Sequence, residues 1–219
     1  DCGEVNGVSA INFTPNGDNL IVACQDAVHT VKIIDWKSGH VRSQAAGGSK
    51  KVLNIAVSHD STPEKLRFLQ GGVGHFRIME YNNGNKQLLA KFGKYGAGNK
   101  KESVLCSSAL PMAAEGGNEF VVGLAGGSIA FLARGERALS GHIEVVKGGA
   151  VTALTVVQTK AGTADEPPQF KIVVGSVGPT ISVFSHEMEK ILNADLTKPW
   201  GPMLDHEYKL NAVGRTRGI

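Results

Sequence analysis

The sequence is poor in cysteine and proline and has no long apolar run. Its 219 residues include only three cysteines and eight prolines. Three widely spaced cysteines form neither a disulfide framework nor a zinc knuckle, and this favours a reducing compartment. No segment approaches the ~20 apolar residues of a membrane-spanning helix, and no basic stretch followed by an apolar block indicates a signal peptide. Because the sequence does not begin with methionine, we expect it to be part of a longer chain.

Glycine is the residue type in excess. There are 28 glycines, or about 13% against an average usage of about 7%. Many glycines with few prolines predict many tight turns between short elements, which argues against a helical bundle.

The positive charge is concentrated in one quarter of the chain. The whole sequence carries a net charge of +3. Residues 51–101 hold nine of the 23 basic residues and three of the 20 acidic ones, and are therefore strongly positive by themselves. Such a local excess is an indication about partners, not about fold.

A search for internal repeats finds one pattern four times, at intervals of 45 to 53 residues. Each copy has an apolar run, a small-residue break and a second apolar run rich in β-branched or aromatic residues, which is typical of a hairpin. Another apolar run precedes each hairpin, and a weaker one follows it. Units of four short strands and 40–50 residues predict an all-β fold of four-stranded, antiparallel β-propeller blades.

We expect one domain over residues 1–219, a partial propeller with approximate blades at 7–46, 50–93, 102–144 and 148–197. Residues 198–219 would form a connector and, at 209–213, the first strand of a next blade. Four blades predict an incomplete arc of a larger WD-type ring, with exposed edges on its two end blades. Residues 158–169 are predicted to be a long exposed loop. Residues 185–195 fit either a short helix or an outer strand.

The blades resemble degenerate WD repeats. Asp35 and Glu80 retain the acid of the Trp-Asp pair that ends the third strand of a typical repeat, whereas the third and fourth copies lack it. A narrower resemblance is to the echinoderm microtubule-associated-protein-like (EMAP-like) family. It rests on His29, Asp35 and Trp36 in one blade ending, on a later Lys/Gly-rich loop, and on the Val-Leu-Cys strand that contains Cys106.

The resemblance implies a non-enzymatic scaffold in a microtubule-associated WD-repeat protein. Its protein partner would be tubulin or microtubules, and its location the cytoplasm and the microtubule cytoskeleton, including that of a cilium or flagellum. His29, Asp35, Trp36 and Cys106 would then be structural motif residues. The alternative is a general WD-repeat adaptor in a complex unrelated to microtubules. Neither hypothesis requires a cofactor, a small-molecule substrate or a membrane.

A lysine-rich loop is the candidate partner-binding site. It spans residues 90–102 and contains no acid between its first and last lysine, and Gly93, Gly96 and Gly98 are expected to make it mobile. A basic loop would be attracted to the acidic surface of tubulin, with nucleic acid the disfavoured alternative. A solvated loop without a partner is the other interpretation. The loop and the first blade connection together supply six candidate residues: Lys50, Lys51, Lys91, Lys94, Lys100 and Lys101.

The other chemical motifs are weak. Residues 93–100 lack the residue order of a phosphate-binding P-loop. The seven histidines have no metal-ligand spacing, and no G-x-S-x-G elbow frames a nucleophile. We therefore predict no catalytic, metal or cofactor residues. Trp200, between two prolines, is either a loop anchor or an exposed contact.

Overall fold

The structure, a computed structural model, describes residues 7–96, 100–111, 117–163 and 166–197. Seventeen β-strands form its regular structure, and the described residues contain no helix. Within the same ranges there is accordingly no helix long and apolar enough to cross a membrane. The prediction of an all-β fold is confirmed.

The first two blades are four-stranded antiparallel sheets in which each strand pairs with the next along the chain. Blade 1 consists of β1 (Val8–Phe13), β2 (Asn19–Cys24), β3 (Val31–Asp35) and β4 (His40–Ala45). Blade 2 consists of β5 (Val52–Val57), β6 (Lys65–Gly72), β7 (His75–Asn82) and β8 (Gln87–Phe92).

The third sheet has a fifth strand. The two-residue strand β9 (Lys94–Tyr95) leaves blade 2 and pairs in parallel with the outer strand of blade 3. Blade 3 otherwise consists of β10 (Val104–Ala109), β11 (Asn118–Leu124), β12 (Ser128–Ala133) and β13 (Ala138–Glu144). Blade 4 consists of β14 (Val151–Lys160), β15 (Gln169–Ser176), β16 (Thr180–Phe184) and β17 (Lys190–Asp195). The expectation of four strands in every blade is corrected at blade 3, where the preceding connection adds one.

The ambiguous segments of blade 4 are resolved as strand. Residues 190–195 form the outer strand β17, so the outer-strand alternative holds and the helical one is wrong. The exposed loop between β14 and β15 is shorter than predicted, because β14 continues to Lys160. The predicted strand at 209–213 and Trp200 lie outside the described residues.

The four first strands, β1, β5, β10 and β14, are the inner strands of the fold. They pack side by side in that order, and no comparable packing of β14 on β1 occurs among the described strands. The four blades therefore form an open arc. Side chains from all four inner strands line a concave groove of about 250 Å³, among them Asn12, Ala56, Ser107 and Val156.

Each inner strand begins in the same way. Its first residue is a valine, and the register with the second strand shifts directly after it, as in a β-bulge. A bulge strengthens the local twist of a strand. The end of the arc at which the inner strands begin is called the upper end below, and the opposite end the lower end.

Apolar clusters fill the three boundaries between blades. The first joins blade 1 to blade 2 through Ile33 and Phe68, and the second joins blade 2 to blade 3 through Phe76 and Phe120. The third joins blade 3 to blade 4 through residues such as Phe184. The large side chains at these boundaries are almost completely buried, so blade-to-blade packing supplies much of the hydrophobic stabilisation.

A valine inserted against a small residue recurs at each boundary; we call this pair the valine lock. A Cβ on Gly71 of β6 would lie 2.6 Å from Cγ1 of Val104 in the next blade. A Cβ on Gly123 of β11 would lie 2.5 Å from Cγ1 of Val151. At the first boundary Ala23 and Val52 belong to one buried cluster. The small residue is therefore needed because the next inner strand approaches it closely.

Candidate functional site

Four of the six predicted lysines lie at the upper end of the arc. Lys50 and Lys51 end the connection from blade 1 to β5, and Lys100 and Lys101 precede β10. All four are exposed. None forms an ion pair with a carboxylate in the described part of the chain. We call these four residues the lysine rim.

Contacts between blades 2 and 3 bring the two halves of the lysine rim to the same end. Asn54 of β5 donates from Nδ2 to the carbonyl oxygen of Val104 in β10 at 2.9 Å. The N–H of Gly74 donates to Oγ of Ser103 at 3.1 Å. The Nζ of Lys50 lies 3.8 Å from the position that a Cβ of Gly74 would occupy. Lys50 therefore lies close to the turn that contains Gly74. That turn is hydrogen-bonded to Ser103, two residues after Lys101.

The other two predicted lysines lie elsewhere. Lys91 is on β8, where its Nζ is 2.5 Å from Oε2 of Glu80 and forms an ion pair. Lys94 is on β9, and its N–H donates to the carbonyl oxygen of Arg137 at 2.7 Å. The structure thus brings four of the six together and places two at the outer edge of blades 2 and 3.

The glycines of the lysine-rich loop serve close packing. A Cβ on Gly93 would lie 2.1 Å from the ring of Phe76, and one on Gly96 2.1 Å from the carbonyl oxygen of Leu139. The Tyr95 hydroxyl donates to the carbonyl oxygen of Glu102 at 2.5 Å. Gly93 and Gly96 therefore have a packing role that the sequence did not indicate, while Gly98 lies outside the described residues.

Three of the motif residues hold turns or blade boundaries. The Asp35 carboxylate accepts hydrogen bonds from the N–H groups of Ser38 and Lys37, at 3.0 and 3.2 Å. The Ser38 hydrogen bonds lower the pKa of Asp35, with a smaller contribution from Arg42. Trp36 donates from Nε1 to the carbonyl oxygen of Gly17 at 2.7 Å, which ties two lower turns of blade 1 together.

Cys106 lies at the boundary between blades 3 and 4. Its Sγ is 3.6 Å from the carbonyl oxygen of Val151 and acts as the donor. Burial raises the pKa of the thiol to about 12. Because the thiolate is the reactive form, this residue suits packing and not nucleophilic chemistry.

His29 belongs to a polar seam at the upper end of the boundary between blades 1 and 2. Its backbone has a φ of 48°, and its carbonyl oxygen accepts from the N–H of Gly47. Gln70 is fully buried and donates from Nε2 to the carbonyl oxygen of Gly47 at 2.6 Å. The Nε2 atom of His75 lies 3.4 Å from Nε2 of Gln70. Burial lowers the pKa of His75, and electrostatic interactions with Arg77, His29 and Lys50 lower it further, whereas the hydrogen bond with the carbonyl oxygen of Val73 raises it.

An arginine-centred network at the boundary of blades 2 and 3 was not predicted. Arg67 donates from Nη1 to Glu80 at 2.5 Å and from Nε to Glu119 at 2.7 Å. It borders a cleft of about 410 Å³ that also contains the ion pair between Arg134 and Asp60. Alternation along β6 and β7 places Arg67 and Glu80 on one face of a hairpin. The partner in the next blade, Glu119, lies 52 residues further on, and the sequence around Arg67 does not indicate it.

No grouping of three or more His, Cys, Asp or Glu side chains suited to a metal ion occurs within the described ranges. No protein-family model matches the sequence.

Proposed function

We propose that this chain is a non-enzymatic, protein-binding scaffold of the WD-repeat, EMAP-like kind, and that its lysine rim binds the acidic surface of tubulin in microtubules. The observation that carries the proposal is the convergence of Lys50, Lys51, Lys100 and Lys101 on one end of the arc. Their ammonium groups are exposed and have no carboxylate partner in the described structure.

The arrangement suits a large acidic surface. Exposed lysines gain little from single ion pairs, but a group of like charges raises the rate and selectivity of association with a complementary surface. Such attraction is screened beyond a Debye length of about 8 Å at physiological salt. Binding through the lysine rim should therefore weaken steeply as salt is added.

Co-sedimentation with polymerised tubulin tests the proposal. The K50E/K51E/K100E/K101E variant should bind at least about tenfold more weakly than the unmodified chain, because attraction becomes repulsion. The matched control reverses four exposed lysines on lower turns and strand starts, K37E/K65E/K86E/K190E, with the same change in net charge. Loss of pelleting in the rim variant alone would support the proposal. Equal pelleting of all three chains, or equal loss in both variants, would contradict it.

The cleft beside Arg67 favours a second candidate, a general adaptor for a protein partner of mixed charge. Its lining alternates acids with bases, among them Asp60, Lys65, Glu80 and Arg134, and a uniformly acidic surface would not complement it. An affinity capture that holds one stoichiometric partner and no tubulin would support this candidate, provided that R134E releases the partner and the lysine-rim variant does not.

A further inference from the structure

Arg77 of β7 is a cation without a counter-charge. It forms no ion pair with a carboxylate in the described part of the chain. Its Nη1 donates to the carbonyl oxygen of Ala46 at 3.0 Å, and its guanidinium carbon lies 4.4 Å from the centre of the Phe92 ring. Its Nε is buried and has no hydrogen-bond partner among the described residues. A guanidinium that has lost part of its water without gaining an acid is a favourable partner for an anion.

Two further basic side chains lie beside this guanidinium, at the upper end of the boundary between blades 1 and 2. A Cβ on Gly48 would lie 3.4 Å from Nε2 of His75 and 3.5 Å from Nη2 of Arg77. Both nitrogens therefore border the space next to this glycine. Lys50 follows on the same connection, and its Nζ reaches the turn at Gly74, directly before His75. We call the space bordered by Lys50, His75 and Arg77 the basic niche.

The backbone at the basic niche is held by residues of both blades. Gly48 has a φ of 139°, a conformation that favours glycine. Its N–H donates to the carbonyl oxygen of Val28 at 2.9 Å. The carbonyl oxygen of Gly47, one residue earlier, accepts from the buried amide of Gln70. The niche is therefore preorganised, which lowers the entropic cost of binding a ligand there.

We propose that the basic niche binds one carboxylate side chain of an acidic protein segment. Nη2 of Arg77 makes no hydrogen bond within the described structure, and a planar guanidinium matches a carboxylate in shape and charge. Lys50 adds a second charge and joins the niche to the lysine rim. The inference rests on the proposed function for its choice of partner, because the acidic surface attracted by the rim supplies the carboxylate.

The histidine of the niche should couple binding to the uptake of a proton. Nδ1 of His75 lies 3.2 Å from the carbonyl oxygen of Val73, and since a carbonyl only accepts, Nδ1 carries the hydrogen. In the neutral ring, Nε2 is then an acceptor, and it faces the amide of Gln70. A carboxylate beside Nε2 favours its protonation. The affinity should therefore rise as the pH falls from about 7.5 to about 6.

The charges already facing His75 oppose its protonation until the carboxylate is present. They come from β7, from the turn before β3 and from the connection before β5, as Arg77, His29 and Lys50. Asp26 lies in the same turn as His29 and interacts with it, but its carboxylate accepts hydrogen bonds from the N–H and the hydroxyl of Thr30. A bound carboxylate would thus supply the negative charge that the niche lacks.

Calorimetric titration with a capped hexaglutamate peptide tests the proposal. Arg77→Gln should weaken binding at least about tenfold, because it removes the planar, preorganised donor. Lys51→Gln is the matched control: it removes the same charge from the lysine rim but lies outside the niche, and should cost less than about threefold. Should Arg77→Gln fail to fold, Lys50→Gln replaces it, since that lysine is exposed. Equal losses in the niche and control variants, or no binding of the peptide, would overturn the proposal.

The pH dependence gives a second readout that a merely structural role would not change. The unmodified chain should bind the peptide about threefold or more tightly at pH 6 than at pH 7.5. His75→Asn should lose this rise, whereas His40→Asn, an exposed substitution on β4, should keep it. An affinity that does not change with pH, or a rise that persists in His75→Asn, would contradict the assignment.

Co-sedimentation with microtubules separates this inference from the proposed function. If the quadruple lysine-rim variant loses pelleting while Arg77→Gln pellets like Lys51→Gln, the proposed function holds and the niche is wrong. If the peptide binds with both expected signatures and the unmodified chain does not pellet with microtubules, the niche holds and the proposed function is wrong.

Discussion

Arg67 donates from Nε to Oε2 of Glu119 at 2.7 Å, across the boundary between blades 2 and 3. The Glu119 side chain is only 6% exposed, so Arg67 supplies the counter-charge to a carboxylate that has little contact with water. The same guanidinium bonds Glu80, which in turn holds Lys91 on the outer strand. One arginine thus links two strands of its own blade to the next blade.

Replacing Arg67 with alanine should lower the free energy of unfolding by about 3 kcal/mol, because it leaves a buried carboxylate without a counter-charge. Urea denaturation followed by circular dichroism measures the change. Lys91→Ala is the matched control: it also removes a cation from Glu80, but its side chain is 42% exposed, and its cost should stay below about 1 kcal/mol. Similar losses in the two variants would show that burial of Glu119 does not determine the effect.

Gly93→Ala should destabilise the protein by about 2 kcal/mol, since the added methyl overlaps a core ring that has no room to move. Phe76 is 1% exposed, and its ring atoms would lie 2.1–2.4 Å from the new Cβ. Gly84→Ala is the control, because its Cβ would meet only the flexible end of the Asn82 side chain, at 3.2 Å. Thermal unfolding of both variants tests this, and an unchanged midpoint for Gly93→Ala would mean that the loop is free to adjust.

The four blades could be predicted from the sequence because the patterns that indicate them lie within short segments of the chain. Two apolar runs around a small-residue break give a hairpin, and the alternation in β7 places His75, Arg77 and Met79 on one face without reference to the rest of the chain. The strand β9 could not be predicted in this way. It has only two residues, and its pairing depends on the position of β13, more than forty residues further on.

The candidate site was predicted in part for a similar reason. Lys50, Lys51, Lys100 and Lys101 lie at the same end of the arc because both pairs precede inner strands, and this follows once four blades are recognised. That Lys91 is held by Glu80 depends on side-chain direction across a strand pair. From the composition alone, Lys91 would be taken as a lysine without an ion-pair partner. The partner of Arg67 in blade 3 depends on how two blades pack.

Acidification from pH 7 to pH 5 should destabilise the native protein through His75. Burial, with Arg77, His29 and Lys50 nearby, holds the pKa of His75 below the usual 6.5. Below about pH 6.5 the unfolded chain therefore binds a proton that the folded chain resists. The contribution to stability is complete above that pH and is lost as the pH falls through the folded-state pKa.

A His75→Asn variant tests this pH dependence. Its unfolding free energy, measured by urea denaturation at several pH values, should fall less than that of the unmodified chain between pH 7 and 5. His40→Asn, an exposed substitution on β4, serves as the control. Asp35 does not interfere, because its pKa is lowered from 3.8 and its contribution is lost only in more acidic solution. Parallel curves for the two variants would contradict the assignment to His75.

Cys106 should resist alkylation in the native protein. Burial raises the pKa of its thiol to about 12, so at about pH 8 the fraction present as the nucleophilic thiolate is very small. Treatment with iodoacetamide, followed by peptide mapping, should leave Cys106 unmodified in buffer and fully modified in concentrated urea. A Gly123→Ala variant provides the sharper comparison, because a Cβ there would lie 2.5 Å from Sγ of Cys106. By forcing the thiol away from its packed position, this substitution should make Cys106 reactive without denaturant, whereas Gly84→Ala should not. Rapid modification of Cys106 in the unaltered native chain would show that the boundary between blades 3 and 4 opens readily.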